Sequence, residues 1–365
     1  RADWCEVDVN CSEGAGWTSQ RDATVRIGVR MGASSYWCTG TLVNNVAMDC
    51  KPYYLTAKHC GVNESGMDAT TGDYNLWRFY FKYQRTNCNT AGGASTSSSV
   101  LGCVERGDSE DGGGFSGSDF LLLEGNTATI PASYNPYWAG WDANNTATTG
   151  GKCIHHPAGS EKKISTFTGT TVSTTWGGPS GTHWRVNWVE TDNGHGVTEG
   201  GSSGSALFNN AHRIVGTLTG GASFCDSPNS PDQYGKMSYH WTNNPNSTND
   251  KLKHWLDPDN TGTLVLDGSY SPCNSTGIGE TALNNTFGLQ PNPAADRLTL
   301  VHPEGAPVER IEILDAAGRS VQTVAPTIGD RTVIDLHERA PGIYLVRVRT
   351  GDGTDLVQRL VVQGR

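Results

Sequence analysis

The chain has 365 residues, of which 46 are glycine, 35% are hydrophobic and 18% are charged, and its net charge at pH 7 is −10. This length exceeds that of one ordinary domain and is typical of a chain with two or three domains. The acidic balance argues against a nucleic-acid partner, because phosphate binding needs a basic surface. No apolar run is long enough to span a membrane.

Ten cysteines are scattered over the chain up to Cys273, and none of them forms a CxxC pair with zinc spacing. An even number of dispersed cysteines predicts about five disulfides in an oxidising compartment. The residues after Cys273 contain no cysteine, which indicates a domain boundary.

Short strand-like runs separated by turn residues fill positions 1–270 and predict a β-sandwich or β-barrel architecture. The clearest runs are residues 24–29, 37–43, 53–56, 120–123, 184–188 and 213–218. One helix is predicted over 249–256, where Leu252, Trp255 and Leu256 share a face and the following Asp257-Pro258 ends it.

A polar linker, rich in Ser, Asn, Thr and Gly, is predicted over 271–288. Beyond it, over 289–365, apolar and polar residues largely alternate in several short segments, which predicts a small antiparallel β-sandwich that forms a separate domain. The alternating segments are residues 298–301, 308–314, 331–336, 342–348 and 356–362.

Three segments of the first domain contain candidate catalytic residues. His59 follows a predicted strand, Asp119 enters the apolar run 120–123, and Ser203 lies between glycines in GGSSGS. Each alone has a simpler interpretation: a structural histidine, a capping or turn aspartate, and a flexible loop. A partly buried carboxylate needs a partner, however, and an imidazole is a good one.

Together, the chain order His59, Asp119, Ser203 on an all-β, disulfide-bonded scaffold is that of the chymotrypsin-like barrel proteases. In that arrangement Ser203 is the nucleophile, His59 the general base and then acid, and Asp119 the residue that orients the imidazole. The backbone N–H groups of Gly201 and Ser203 would form the oxyanion hole.

The first domain also resembles the bacterial lysyl endopeptidases, trypsin-like enzymes that cut after lysine. The matching segments are residues 38–45, 55–61, 118–120, 154–157, 197–205, 232–235 and 255–258. The resemblance implies His59, Asp119 and Ser203 as the triad. It also implies the disulfides Cys5–Cys225, Cys11–Cys88 and Cys38–Cys60. The remaining cysteines are Cys50, Cys103, Cys153 and Cys273, for which three connectivities are possible.

The same resemblance suggests how a substrate is chosen. Asp232 matches the carboxylate that reads lysine, although an aspartate after a proline is also a common turn residue. Leu218, Thr219 and Gly220 should form the strand that pairs with the substrate backbone. Trp176 matches the tryptophan of a Trp–His stacked pair beside the pocket, but Thr219 stands where the histidine is expected. The stacked pair cannot form, so an arginine-accepting or dual Lys/Arg protease is the alternative.

Ser202 precedes the nucleophile where an aspartate would be needed to pair with a free amino terminus, so trypsin-like activation is not expected. Neither a metal nor a cofactor is predicted. The adjacent His155 and His156 would point to opposite faces of a strand and could not chelate one ion side by side.

The C-terminal segments 289–294, 313–319 and 340–348 resemble the sorting domains of type IX secretion cargo in Bacteroidetes. The resemblance implies export and contact with the type IX machinery. A carbohydrate-binding or adhesive sandwich is the alternative. A cluster of exposed aromatic residues would favour such binding, but Tyr344 is the single Tyr or Trp after residue 288.

The sequence therefore predicts an all-β protein with a chymotrypsin-like double β-barrel, a short C-terminal helix and a small antiparallel β-sandwich. We expect a secreted or surface-attached, monomeric serine endopeptidase that acts on proteins or peptides after lysine. An inactive, protease-like surface adhesin is the competing hypothesis.

Overall fold

The computed structural model describes residues 2–89, 94–111, 116–274, 288–302, 308–315, 318–327, 329–351 and 355–363. The chain forms two compact units, Arg1–Asn274 and Ser275–Arg365. The predicted linker 271–288 falls at this division, but its residues 275–287 lie outside the described residues.

The first sheet of the first unit contains seven antiparallel strands in the order β5-β4-β1-β2-β3-β7-β6. The strands are β1 (Thr24–Met31), β2 (Ser34–Val43), β3 (Tyr53–Thr56), β4 (Arg78–Tyr80), β5 (Ser99–Leu101), β6 (Cys103–Asp108) and β7 (Leu121–Gly125).

The second sheet has nine strands, with the main order β10-β9-β13-β14-β15-β12-β11 and with β8 and β16 attached beside β14. Its strands are β8 (Trp141–Asp142), β9 (Thr149–His155), β10 (Lys163–Thr170), β11 (Val172–Thr174), β12 (His183–Val186), β13 (Ala206–Asn209), β14 (Ile214–Gly221), β15 (Asp232–Lys236) and β16 (Val265–Leu266).

Period-two alternation divides the buried side chains between separate cores. Leu121 and Leu123 of β7 pack inside the first sheet, whereas Phe120 and Leu122 point into the core between the two sheets. Successive side chains of a strand face opposite sides, so one strand serves both cores. Strands β9, β13 and β14 alternate in the same way between the second sheet's own core and the shared core.

Helices are few and short among the described residues. They are α1 (Thr18–Ala23), α2 (Thr71–Tyr74) and α3 (Leu252–Leu256), with one five-residue π-turn and several 3₁₀ turns. The predicted helix 249–256 is shorter in the structure because Lys251 adopts an extended conformation, which separates α3 from a 3₁₀ turn at Thr248–Asp250. None of these helices is long and apolar enough to cross a membrane.

Four disulfides link eight of the ten cysteines. Three are the pairs implied by the resemblance, and the fourth is Cys50–Cys273. The expectation of about five disulfides is wrong, because Cys103 and Cys153 are free thiols. Cys103 is buried inside the first sheet and Cys153 inside the second, so the two sulfurs lie in different cores.

The second unit is an antiparallel β-sandwich with a three-stranded sheet, β17-β18-β21, and a four-stranded sheet, β20-β19-β22-β23. Its strands are β17 (Gly288–Gln290), β18 (Arg297–Val301), β19 (Val308–Leu314), β20 (Ser320–Val324), β21 (Arg331–Asp335), β22 (Gly342–Thr350) and β23 (Asp355–Val362). Alternate residues, such as Leu298 and Leu300, fill its core. The predicted all-β fold class is confirmed for both units.

Candidate active site

His59 and Asp119 meet because their flanking strands are neighbours in the first sheet. His59 lies on the 3₁₀ turn Lys58–Gly61 directly after β3, and Asp119 lies just before β7. Strands β3 and β7 pair with Thr56 opposite Leu121. The imidazole Nδ1 lies 2.7 Å from Asp119 Oδ2, and the His59 backbone N–H donates to Asp119 Oδ1 at 2.9 Å. These two contacts fix the position and the orientation of the ring.

Asp119 is itself held by groups around it. It is fully buried and has a φ of 57°, in the left-handed region that non-glycine residues seldom adopt. Its backbone N–H donates to Asp111 Oδ2 at 2.8 Å, and the preceding Ser118 hydroxyl lies 2.8 Å from His240 Nδ1. Burial alone would lower the pKa of His59, but the charge and hydrogen bond of Asp119, together with the charge of Asp111, raise it above its ordinary value.

The loop that carries Ser203 packs against the same end of the first sheet. The Ser203 carbonyl accepts the Thr39 N–H at 2.9 Å and lies 3.9 Å from Cys60 Sγ, next to His59 in the chain. A Cβ on Gly204 would lie 2.0 Å from Thr56 Oγ1, so only glycine allows this approach. Ser203 is half-buried, and its hydroxyl has no hydrogen-bond partner among the described residues.

The backbone around Ser203 presents two unused donors. Among the described residues, neither the Gly201 nor the Ser203 N–H has an acceptor within the protein. The carbonyl groups before them are bound: Gly200 accepts the Ala158 N–H at 2.6 Å, and Ser202 accepts an N–H from its own loop at 3.0 Å. Gly201 has a φ of 98°, which favours glycine. This arrangement can receive an anionic oxygen.

Ser202 stands where trypsin-like activation would need an ion-pairing aspartate, and its hydroxyl takes part in a buried hydrogen-bond network. It lies 2.7 Å from His155 Nδ1 and accepts the Glu199 N–H at 3.2 Å, while His155 Nε2 lies 3.1 Å from Ser165 Oγ. Burial, with a smaller effect of a nearby lysine, lowers the pKa of His155 to about 3, so the ring is neutral. The adjacent His156 instead binds a backbone carbonyl through Nδ1 at 2.9 Å.

Asp232 is the first residue of β15 and is fully buried. Its Oδ2 accepts hydrogen bonds from Trp188 Nε1 at 2.6 Å, Thr198 Oγ1 at 2.8 Å and Ser223 Oγ at 2.6 Å, and its Oδ1 accepts the Ser223 N–H at 3.1 Å. Burial raises the pKa of Asp232 above its ordinary value, and these donors oppose that effect. The sequence identified the carboxylate but assigned no role to its three donor residues.

The end of β14 has a free edge beside the Ser203 loop. The Gly204 N–H donates to the Leu218 carbonyl at 2.9 Å, and β13 pairs with β14 only before that point. No described strand pairs with that side of residues 219–221. The Trp176 ring lies against Gly220, where an added Cβ would be 3.1 Å from the ring. The edge is therefore available for an extended peptide beside the tryptophan.

Thr219 has a partner that the sequence did not reveal. Its Oγ1 lies 3.0 Å from Nε2 of His183, a buried residue of β12. Burial lowers the pKa of His183 to about 4, which keeps the ring neutral near pH 7. The two residues are 36 positions apart, so no local pattern could have linked them.

A family model described as "Lysyl endopeptidase, C-terminal domain" matches residues 1–235, well over half of the chain. The chain belongs to the lysyl endopeptidase family. A lysyl endopeptidase of Pseudomonas aeruginosa is 33% identical over 242 residues, which cover 62% of this chain and 47% of that relative. The chain thus spans about half the length of the curated relative that it matches.

Two solved structures are also similar to part of the chain. A thermostable serine protease, AL20, from an extremophilic microorganism has 16% identity and a TM-score of 0.44, covering 60% of this chain and 93% of that one. A Glu endopeptidase has 20% identity and a TM-score of 0.37, covering 60% and 86%. At these TM-scores neither structure informs the chemistry of the site.

A second family model, "Secretion system C-terminal sorting domain", matches residues 289–363. The C-terminal β-sandwich is therefore a secretion sorting domain, and the predicted location outside the cell or on its surface is confirmed.

Proposed function

We propose that the chain is a serine endopeptidase that hydrolyses peptide bonds on the carboxyl side of lysine through an acyl-enzyme. The observation that carries this proposal is the His59 imidazole, held by Asp119 at 2.7 Å beside the Ser203 loop with its two unused N–H donors. A buried carboxylate that binds Nδ1 leaves Nε2 as the ring atom available for proton transfer.

The proposed reaction begins when Ser203 Oγ attacks the substrate carbonyl while His59 Nε2 accepts the hydroxyl proton. The oxygen that becomes negative is stabilised by the N–H groups of Gly201 and Ser203, each contributing about 3 kcal/mol. His59 then donates the proton to the departing amine. A water molecule repeats the sequence on the acyl-enzyme, releases the acid and restores the Ser203 hydroxyl.

Asp232 is the proposed partner of the substrate lysine. A buried ammonium needs a buried anion. Asp232 is a buried carboxylate at the start of β15, the strand that pairs with β14 on the side opposite its free edge. Trp176 would form part of the pocket wall, and residues 218–220 would pair with the substrate backbone. The proposed partners are therefore proteins or peptides, together with the type IX machinery for the sorting domain, and the proposed oligomeric state is a monomer.

The acceptor geometry of Asp232 favours lysine over arginine. Each oxygen of a carboxylate offers about two acceptor positions; Oδ2 of Asp232 already accepts three hydrogen bonds from the protein, whereas Oδ1 accepts one. The remaining capacity at Oδ1 suits a single N–H of an ammonium, whereas a guanidinium fork needs both oxygens. A dual Lys/Arg specificity stays the second candidate, because Thr219 replaces the expected histidine beside the pocket.

Mapping of cut sites by mass spectrometry tests the proposal. The wild-type chain and Ser203→Ala would be incubated with a denatured protein mixture, and all new carboxyl termini identified. We expect new termini after lysine for the wild type and none for Ser203→Ala. Equal cleavage after arginine would support dual specificity. Absence of cleavage by the wild type, or cleavage by Ser203→Ala, would refute the mechanism.

A further inference from the structure

We propose that the Thr39 hydroxyl is a positioning group of the oxyanion hole, and this inference rests on the proposed function. Thr39 does not touch the reacting atoms. It is a buried residue of β2 that holds the loop carrying the two unused N–H donors.

The contacts of Thr39 reach both sides of the oxyanion hole. Its Oγ1 donates to the Gly201 carbonyl at 2.9 Å and accepts the His156 N–H at 3.0 Å. Its backbone N–H donates to the Ser203 carbonyl at 2.9 Å. Because the neighbouring Cys38 is tied by a disulfide to Cys60, the hydroxyl is anchored on a rigid strand beside the catalytic histidine.

The direction of the Gly201 N–H depends on these contacts. In a trans peptide the N–H and the C=O point in opposite directions, so the Ala158 N–H that holds the Gly200 carbonyl turns the Gly201 N–H towards the site. The Thr39 hydroxyl fixes the next carbonyl, that of Gly201, and also the turn that carries Ala158, through His156. Both peptides of a glycine that is otherwise free to rotate are thereby fixed.

The rest of the proposed substrate site does not depend on this hydroxyl. The Asp232 donors come from residues 188, 198 and 223, and the free edge lies on β14. Removal of the hydroxyl should therefore weaken binding of the negative oxygen in the transition state and leave ground-state substrate binding unchanged.

The test compares Thr39→Val and Thr39→Ser with the matched control Thr41→Val. Thr41 lies two residues along the same strand and is also fully buried, but its hydroxyl has no hydrogen-bond partner among the described residues. Two assays would be run on the full chain: kcat and KM would be measured for a lysyl peptide amide, and the inhibition constant for a peptide aldehyde ending in lysine. Ser203 Oγ adds to the aldehyde carbon while its proton passes to His59 Nε2, and the former carbonyl oxygen, now negatively charged, is left in the oxyanion hole.

We expect Thr39→Val to lower kcat by about 10- to 100-fold with KM within about twofold, and to weaken the aldehyde by a similar factor. Thr39→Ser keeps the hydroxyl and should stay within about threefold of wild type, as should Thr41→Val. If Thr39→Val does not fold, Thr39→Ala takes its place under the same criteria.

An active wild type with unchanged kcat in the folded Thr39→Val variant would overturn the inference alone. So would a loss of kcat without weaker aldehyde inhibition, or a loss of the same size in Thr41→Val. A wild-type chain without peptidase activity would refute the proposed function and the inference together.

Discussion

The replacement Asp232→Asn tests the proposed lysine pocket with almost no change in volume. In the wild type, Oδ2 faces three donors and Oδ1 faces one. An amide nitrogen at the Oδ2 position would face the Trp188 Nε1–H, and at the Oδ1 position it would face the Ser223 backbone N–H. Neither of these groups can accept a hydrogen bond, so either orientation of the asparagine brings two donors together.

The expected loss of folding stability is modest. A buried donor without an acceptor costs about 1–3 kcal/mol. Burial raises the pKa of Asp232, so loss of the buried charge offsets part of this cost, and we expect a net destabilisation of about 1 kcal/mol. The effect on lysine recognition should be larger, because an ammonium left without its buried partner costs about 3–5 kcal/mol. At 1.4 kcal/mol per factor of ten, kcat/KM for lysine should fall by about 100- to 4,000-fold.

The assay uses two peptides that differ only in the residue before the cleaved bond, lysine in one and the uncharged norleucine in the other. Asp232→Asn should lose activity on the lysyl peptide and keep its low activity on the norleucyl peptide. The matched control is Asp226→Asn, which removes the same charge from an exposed residue of the loop that precedes β15. If Asp232→Asn keeps its preference for lysine within about threefold of wild type, Asp232 is not the specificity residue.

Three further outcomes are expected. Activity should rise with pH in kcat/KM through an apparent pKa above the ordinary histidine value, since neutral His59 is the proposed base and, although burial lowers its pKa, the nearby carboxylates raise it; an acid limb centred below pH 6 would contradict this. The thiols of Cys103 and Cys153 are buried, so iodoacetamide should label neither in the native chain and both after unfolding; native labelling would contradict the structure. Replacing Cys50 and Cys273 by serine should lower the free energy of unfolding in denaturant titrations. The loss should be less than the roughly 5 kcal/mol expected for a disulfide that closes a loop with a separation of 223, because the Cys5–Cys225 disulfide already closes most of that loop. An unchanged unfolding midpoint would contradict a structural role for this disulfide.

The fold could be predicted from the sequence where the pattern is local. The apolar run 120–123 and its neighbours carry a strand signal that needs no partner to be recognised, and β7 lies there. The number of disulfides could not be predicted, because the sequence does not distinguish a free cysteine from a disulfide-bonded one. Cys103 and Cys153 became distinguishable only when each was placed in a separate core.

In the candidate site, too, some residues could be predicted from the sequence and others could not. His59, Asp119 and Ser203 are recognisable because their chain order and flanking residues form a known pattern. The groups that support them come from distant strands and loops. Thr39 reaches the Gly201 carbonyl across 162 positions, and the donors of Asp232 lie in three separate segments. Tertiary pairing creates these contacts, so no spacing along the chain encodes them.

The contact between Thr219 and His183 bears on the choice between lysine and arginine. The sequence replaces an expected histidine by threonine and so leaves the choice between lysine and arginine open. The structure adds a histidine from β12, bound to the Thr219 hydroxyl, but burial lowers the pKa of His183 to about 4. A neutral ring exerts no net charge on either substrate side chain. In the proposed pocket, discrimination would then depend on shape and on Asp232, whose Oδ2 already accepts three hydrogen bonds. One open acceptor position at Oδ1 can satisfy a lysine ammonium more fully than an arginine fork.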